Sequence, residues 1–322
     1  ILNKKIVFLS GKKGGYDALK PFLINLKKKY KLKIIITDQH LNPGFGNTYK
    51  ILQKDFSSRY IHKMKLKQKN DEVNSRLLAM SELIKKLSLF FKRENPDLLI
   101  LYGDRGESLI SAFVSVNYGT PILHFQGGDI SGNIDEIFRH AITKLSNYHF
   151  CSNKSSRARI INMGENPKYV FNHGDNHLDI IQNKNKISKK NIINYLQIPN
   201  SFLDNFAIVH FHPETYLKSN NYHHMKKILL ALIKNKINII CIYPCNDQGY
   251  QGIIKAIKET KKKYPKCIKV FKILERDYFI KLLKLSKFLI GNSSSGIIET
   301  PFLNKWSINI GSRQNMRLKS KF

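Results

Sequence analysis

The fold can be read outward from "DLLILYGDRGESLISAF", residues 97–113. The apolar run "LLILY" has the length of a strand and stops at Gly103. Asp104, Arg105 and Glu107 follow, and a helical pattern begins at once. A strand buried on both faces reads as a continuous apolar run, and returning the chain to a parallel neighbour takes a crossover helix. A plain turn needs no acid–arginine–acid sequence. These side chains therefore mark a strand tip that does more than connect.

The same unit recurs in both directions. Strands are expected at "KIVFLS", "KLKIIIT", "TPILHF", "YVFN", "FAIVHFH", "INIICIYP", "IKVFK", "KFLIGN" and "SINIG". Helical patterns such as "YDALKPFLINLKKKY", residues 71–93 and "DEIFRHAITKLSNY" lie between them. This alternation predicts an α/β protein with parallel sheets. A polar interval at residues 179–201 separates two such halves. We place an N-terminal Rossmann-like domain at residues 1–176 and a C-terminal nucleotide-binding Rossmann-like domain at residues 177–322. Two doubly wound domains facing a cleft would present their strand carboxyl ends there, where such folds bind ligands.

Composition narrows the function. Hydrophobic residues make up 42% of the 322-residue chain, enough for real cores, which argues against wholesale disorder. No apolar run has the length of a membrane span, and "ILNKKIVFLSGKKGG" lacks a signal-peptide pattern. A cytoplasmic protein with no membrane partner is expected. The formal net charge is +32, but the Lys excess is spread along the whole chain without a recognisable nucleic-acid module. That predicts no nucleic-acid partner and a diffuse field suited to a small anion. Cys151, Cys241, Cys245 and Cys267 show no paired metal spacing and read as reduced structural thiols.

Polar clusters follow six of the strands. They are "SGKKGGY", "GDRGE", "HFQGGDISGNIDEIFRH", "HFHPET", "GNSSSGIIET" and "IGSRQNMR". The first lacks Walker or dinucleotide spacing. In "GNSSSGIIET", three serines exceed the one that an N-cap needs, and they offer hydroxyls and a positive helix end to a phosphate. Glu299, farther along that helix, could accept ribose hydroxyls. In "SGNIDEIFRHAITKL", Asn133 is expected to cap a helix, with Glu136 near a capping-box position. Phe138, Ala141, Ile142 and Leu145 would form its buried stripe. Asp135 and Arg139, four residues apart, read as a solvent-facing pair. His210 and His212 share one side of a strand, and His212 is nearer the tip. No adjacent acid or cysteine completes a metal set around them.

"GDRGE", "QGGDISGNIDEIFRHAITKLSNYHF", "HP", "GNSSSGIIE" and "IGSRQNMR", with "HLNPGFGNTY" before them, follow the order and rough spacing of the hydrolysing UDP-N-acetylglucosamine 2-epimerases. The chain resembles that family over almost its whole length. The resemblance implies a two-domain fold of the glycosyltransferase-B type. It implies conversion of a nucleotide amino sugar, through a glycal, to N-acetylmannosamine or an analogue plus nucleoside diphosphate, as in sialic and legionaminic acid synthesis. By the same resemblance Asp104, Asp135, Arg139 and His212 are the catalytic set. Arg105 and Arg313 address the diphosphate, Ser293 and Ser294 the phosphate, and Glu299 the ribose. Lys13 and Gln126 stand at substrate-binding positions. This chemistry implies no metal and no cofactor, and the family implies a homo-oligomer, dimer or tetramer.

The sequence departs from the family pattern in three places. Lys13 replaces an arginine, keeping the charge without the bidentate fork. Gln126 stands where Glu is frequent. An amide transfers no proton, so if that carboxylate limits the reaction Gln126→Glu should raise turnover. The chain stops at Phe322 before a closing helix, which reads as truncation. Two alternatives come from other classes. A glycosyltransferase on the same fold is disfavoured by Asp104, Asp135 and His212. A non-catalytic sugar-nucleotide binder is favoured by Lys13, Gln126 and the short C-terminus.

Overall fold

The computed structural model describes residues 3–182, 187–214 and 220–319. Part of the polar interval (residues 183–186) and Thr215 of "HFHPET" lie outside the described residues. The chain divides into two compact units, Ile1–Asn176 and His177–Phe322. The first contains β1 (Lys5–Ser10), β2 (Lys31–Thr37), β3 (Ile61–Met64), β4 (Leu98–Tyr102), β5 (Ile122–Phe125), β6 (Tyr148–Cys151) and β7 (Val170–Asn172). They form one sheet in the order β3-β2-β1-β4-β5-β6-β7. The second unit contains β8 (Phe206–His210), β9 (Asn238–Ile242), β10 (Ile268–Phe271), β11 (Phe288–Gly291) and β12 (Trp306–Asn309), ordered β10-β9-β8-β11-β12. Strand pairing is parallel throughout both sheets. The α/β doubly wound class read from the alternation is therefore the class of the structure. In each sheet the order reverses once, between β1 and β4 and between β8 and β11.

β3 and β6 were not expected. Each has four residues. β3 buries only Met64 fully, and β6 starts on the exposed Tyr148 directly after a helical pattern. Their pairing is supplied by neighbours, Ile34 opposite Ile61 and Phe125 opposite Phe150, and not by a local apolar run.

Why the central strands are apolar is visible in β1. Val7 and Leu9 pack on one face with Leu83, Leu87 and Phe91 of the helix Val73–Glu94. Ile6 and Phe8 pack on the other with Tyr16, Leu19 and Leu23 of the helix Lys13–Leu26. β8 repeats this, with Phe206 and Ile208 on one face and Ala207 and Val209 on the other. Each such Val, Leu, Ile or Phe side chain contributes roughly 1.5–3 kcal/mol by leaving water. The four cysteines form no disulfide. Among the described residues no helix is long and apolar enough to cross a membrane.

Phe8 is completely buried at the centre of the first sheet. Phe8→Ala should destabilise the chain by about 3–5 kcal/mol in urea unfolding. A loss under about 1 kcal/mol would be inconsistent with a two-sided core at β1.

Candidate active site

The carboxyl ends of β1, β2 and β4 carry a buried charge network. Asp38 follows β2, and Arg105 and Glu107 follow β4. Arg105 Nη2 lies 3.0 Å from Asp38 Oδ2 and 3.3 Å from Glu107 Oε1. Arg76, from the helix Val73–Glu94, lies 3.3 Å from Asp38 and 2.9 Å from Glu107. Gly11, just past β1, runs so close that a Cβ there would sit 3.1 Å from Glu107 Cδ. Two arginines thus face two carboxyl groups beneath the strand ends. Burial and the neighbouring Glu107 charge push Asp38 up to about 7, against the opposing pull of Arg76 and Arg105. Burial also acts to raise Glu107, but there the two guanidiniums win and hold it well below the usual carboxylate range. Arg105, expected to face a leaving diphosphate, is 6% exposed and committed to this network. Two partners 67 and 2 residues away turn it inward.

Beside this network Lys13 opens the helix Lys13–Leu26 and pairs with Asp17 one turn on, both buried. His40 bridges Ser10 Oγ at 2.8 Å and Thr48 Oγ1 at 2.7 Å, and burial followed by the Lys13 charge pushes it down to about 3. Asp38 and His40 were not singled out from the sequence, although "TDQHL" is a polar strand end like the six that were.

Asp104, at the tip of β4, is paired with Arg139 Nη2. Arg139 also donates Nη1–H to the Asp129 carbonyl at 2.7 Å. Burial opposes its charge, and the Asp104 and Asp129 carboxylates more than restore it. Arg139 was expected in a solvent-facing pair with Asp135. Instead it is 1% exposed, the largest fully buried side chain of the described residues. The helix Ile134–Lys144 buries Arg139, Ile142 and Thr143, while Phe138, Ala141 and Leu145 are only partly covered. The expected apolar stripe does face the core, with Ile142 in it and Leu145 packed against it, but the helix also buries Arg139, which the Asp104 pair makes possible. Asp135 opens this helix at partial exposure, its N–H accepted by Asn133 Oδ1 at 3.0 Å. Glu136 reaches back to the N–H groups of Ser131 (2.5 Å) and Gly132 (2.7 Å). Gln126, at the end of β5, is 9% exposed and donates Nε2–H to Asp175 Oδ2 at 2.9 Å.

In the second unit the strand reversal is bridged by a reciprocal pair. The His212 N–H donates to Asn292 Oδ1 at 2.6 Å, and Asn292 Nδ2 donates to the His212 carbonyl at 2.9 Å. The Cys245 N–H donates to His212 Nδ1 at 3.0 Å, which leaves the ring proton on Nε2. Gly291, φ +143°, lets the β11 end pass the β8 end, since a Cβ there would lie 2.1 Å from the His210 carbonyl. His210, beside His212 at 4.4 Å between rings, is pushed down to about 4 by burial and by Arg313. Ser293 and Ser294 precede the helix Ser295–Phe302, and Ser294 makes no side-chain capping bond. Arg313 Nη2 lies 3.7 Å from Asp247. Its loop is held by Glu214 Oε1, which accepts from Ser312 N–H at 2.6 Å and Arg313 N–H at 3.3 Å. Asn292 and Glu214 were missed as well, though both lie in quoted strand-end clusters. Glu299, expected to meet a ribose, is 2% exposed and paired with Arg276 at 2.5 Å. Burial raises it, and Arg276 brings it below its usual range. Among the described residues no three His, Cys, Asp or Glu side chains gather as a metal-binding group.

Doubly wound units with charged side chains at the strand reversals have the architecture of nucleotide-binding α/β proteins. The chain belongs to the UDP-N-acetylglucosamine 2-epimerase family, whose profile matches residues 24–321. It is 33% identical to the UDP-N,N'-diacetylbacillosamine 2-epimerase (hydrolyzing) of Legionella pneumophila, over 98% of this chain and 83% of that one. It is 30% identical to the UDP-N-acetylglucosamine 2-epimerase of Neisseria meningitidis, over 99% and 82%. The fold matches the crystal structure of UDP-GlcNAc 2-epimerase from Neisseria meningitidis bound to UDP-GlcNAc, with TM-score 0.75, 15% identity, and coverage of 97% and 84%. The two-unit architecture is thus of the glycosyltransferase-B type that the resemblance implied.

The Asp38 pKa carries a sign. It is raised above the unfolded value of about 3.9, so between about pH 4 and pH 7 the native state holds a proton that the unfolded state has lost. Its contribution to stability therefore falls as pH rises through that window, by at most about 1.4 kcal/mol per unit. Asp38→Asn, tolerated at φ +49°, should remove this slope when urea stabilities at pH 5 and pH 7 are compared with wild type. Parallel slopes in the two proteins would refute the assignment.

Proposed function

We propose that the chain is a hydrolysing 2-epimerase. It would convert UDP-N-acetylglucosamine, or a related nucleotide amino sugar such as UDP-N,N'-diacetylbacillosamine, and water to the C2-inverted free sugar and UDP. The observation that carries this reading is Asp104 at the β4 tip, paired with the fully buried Arg139. Similarity to hydrolysing relatives over nearly the whole chain supports it.

In the first half-reaction a base removes the C2 proton. The C–H electron pair becomes the C1=C2 double bond, and the C1–O bond breaks with its pair going to the diphosphate. In the second, water adds its oxygen to C1 while C2 receives a proton on the opposite face. One water is consumed and the acid–base groups are restored. We assign Asp104 and Asp135 to the sugar, with Arg139 fixing the Asp104 carboxylate. His212, protonated at Nε2, can donate to the departing diphosphate. Ser293, Ser294 and Arg313 suit the phosphates, by hydroxyls, a helix end and a cation. Arg105 acts indirectly, through the network that shapes the β4 tip. Glu299 and Arg276 form the buried floor of the nucleotide end, and Lys13 with Asp17 the floor of the first loop. A homo-oligomeric state is supported by exposed Leu77, Leu78 and Leu89 on one helix and Phe113 and Val116 on the helix packed against it. The second reading, a sugar-nucleotide binder without turnover, is favoured only by Gln126 and by the pairing of Lys13 with Asp17.

UDP should bind more tightly than uridine in calorimetry, and equal affinities would sink the phosphate assignments. Proton NMR in heavy water with UDP-N-acetylglucosamine should show free N-acetylmannosamine carrying deuterium at C2, whereas a binder would leave the substrate unchanged. Asp104→Asn should abolish turnover and leave UDP affinity intact. Activity within about tenfold of wild type, a barrier change of only about 1.4 kcal/mol, would remove Asp104 from the catalytic set.

A further inference from the structure

The sequence leaves one site position, Gln126, without a group able to transfer a proton. The structure places a carboxylate against it. Gln126 leaves the sheet one residue past Phe125, which lies opposite Tyr102 on β4. The Gly103 N–H donates to the Phe125 carbonyl at 3.0 Å, so Gln126 emerges beside Gly103 and next to the Asp104 tip. Its backbone is held there: the Gln126 N–H donates to the Phe150 carbonyl at 2.8 Å, and its φ is +60°, a left-handed conformation that few residues with a side chain adopt. Such strain persists where the surroundings enforce it, and it concentrates at functional sites. The result is a buried amide with a single direction, aimed at Asp175 Oδ2 at 2.9 Å.

Asp175 is positioned with equal care. It follows β7, on a segment that its neighbours pin down. The His173 N–H donates to the Cys151 carbonyl at 3.2 Å, and the His173 ring packs against Phe125 and Phe150. His173 Nε2 meets Asn176 Oδ1 at 2.9 Å, and Asn176 is buried. With both flanks anchored, the partly exposed Asp175 carboxylate reaches back across β6 to the end of β5. A solvated surface acid would need neither the strained glutamine nor the two anchors.

We propose that Asp175 is a proton-transfer carboxylate of the site, aimed by Gln126. This rests on the hydrolysing-epimerase reading above. In its carboxylate form Asp175 accepts the proton that water loses as its oxygen bonds to C1 and becomes a neutral acid; it then releases that proton to solvent, while the two faces of C2 are served by other groups, so the cycle closes with no co-reactant. The pairing also explains why residue 126 is an amide. A glutamate there would set two carboxylates within hydrogen-bond distance, where both cannot ionise together. Gln126→Glu alone therefore lowers turnover, contrary to the gain expected from the sequence.

The test exchanges the partners. Initial rates of UDP release from UDP-N-acetylglucosamine and from UDP-N,N'-diacetylbacillosamine are measured for wild type, Asp175→Asn, Gln126→Glu and the double variant, with UDP affinity by calorimetry as a check on folding. Asp175→Asn should lower kcat about a hundredfold or more while KM and UDP affinity stay within about threefold. The Gln126 amide can turn its oxygen toward the side-chain N–H that this substitution introduces, so the variant keeps the contact. The double variant, with acid and amide exchanged, should recover at least about tenfold over Asp175→Asn, a recovery that a merely structural contact would not produce. Asp175→Asn within about threefold of wild type overturns the proposal and leaves the epimerase reading standing. So does a double variant no faster than Asp175→Asn. Wild type without turnover on either nucleotide sugar, with UDP bound, overturns the epimerase reading and this assignment with it.

Discussion

A parallel strand packed on both faces has little room for polar side chains away from its ends, and a buried exception such as His124 in β5 must be hydrogen-bonded, here to the Gly103 carbonyl at 2.8 Å. In both units the central strands bury apolar residues toward two helical layers, as β1 does with Val7 and Leu9 on one face and Ile6 and Phe8 on the other. Most polar function is therefore pushed to the loops that leave the strands. The point where strand order reverses opens a gap between adjacent loops that other strand pairs lack. Asp104 and Arg105 at β4, Gly11 at β1, His212 at β8 and Asn292 at β11 all occupy that place.

Once charges are gathered at strand ends, they must be paired, because an isolated buried charge is far costlier than a paired one. The first unit meets this in layers. Deepest is the network of Asp38, Glu107, Arg76 and Arg105, formally neutral in sum. Above it Arg139 neutralises Asp104 while its second nitrogen is used by the Asp129 carbonyl. Breaking one partner of such a set leaves the other uncompensated, which makes the geometry rigid rather than strongly stabilising. Rigid placement of carboxylates is what acid–base chemistry at a weakly acidic carbon requires. Two residues that look like ligand contacts in the sequence are buried in ion pairs, Arg105 with Asp38 and Glu107 and Glu299 with Arg276.

Local pattern made much of this protein legible. Apolar runs of strand length alternating with helical periodicity are set by contacts within a few residues, and ten of the twelve strands among the described residues are visible that way. The two that are not, β3 and β6, exist because a neighbouring strand pairs with them. The strand-end clusters are equally legible, since a polar run after a buried strand is a local feature. Asn133 as a helix cap follows from spacing alone.

Partner choice lay beyond the sequence. Arg139 has Asp135 four residues away, yet its guanidinium is paired with Asp104, 35 residues earlier. Arg105 meets Asp38 across 67 residues, and Gln126 meets Asp175 across 49. The sequence by itself determined the class of fold and the strand tips at which charges collect, because those depend on period and composition, and its motifs carried the resemblance to the family. Which charge faces which, and which side chains are buried in doing so, was decided only by the tertiary structure. An ion pair depends on distances of a few ångströms, and those distances are created when strands far apart in the chain become neighbours in a sheet.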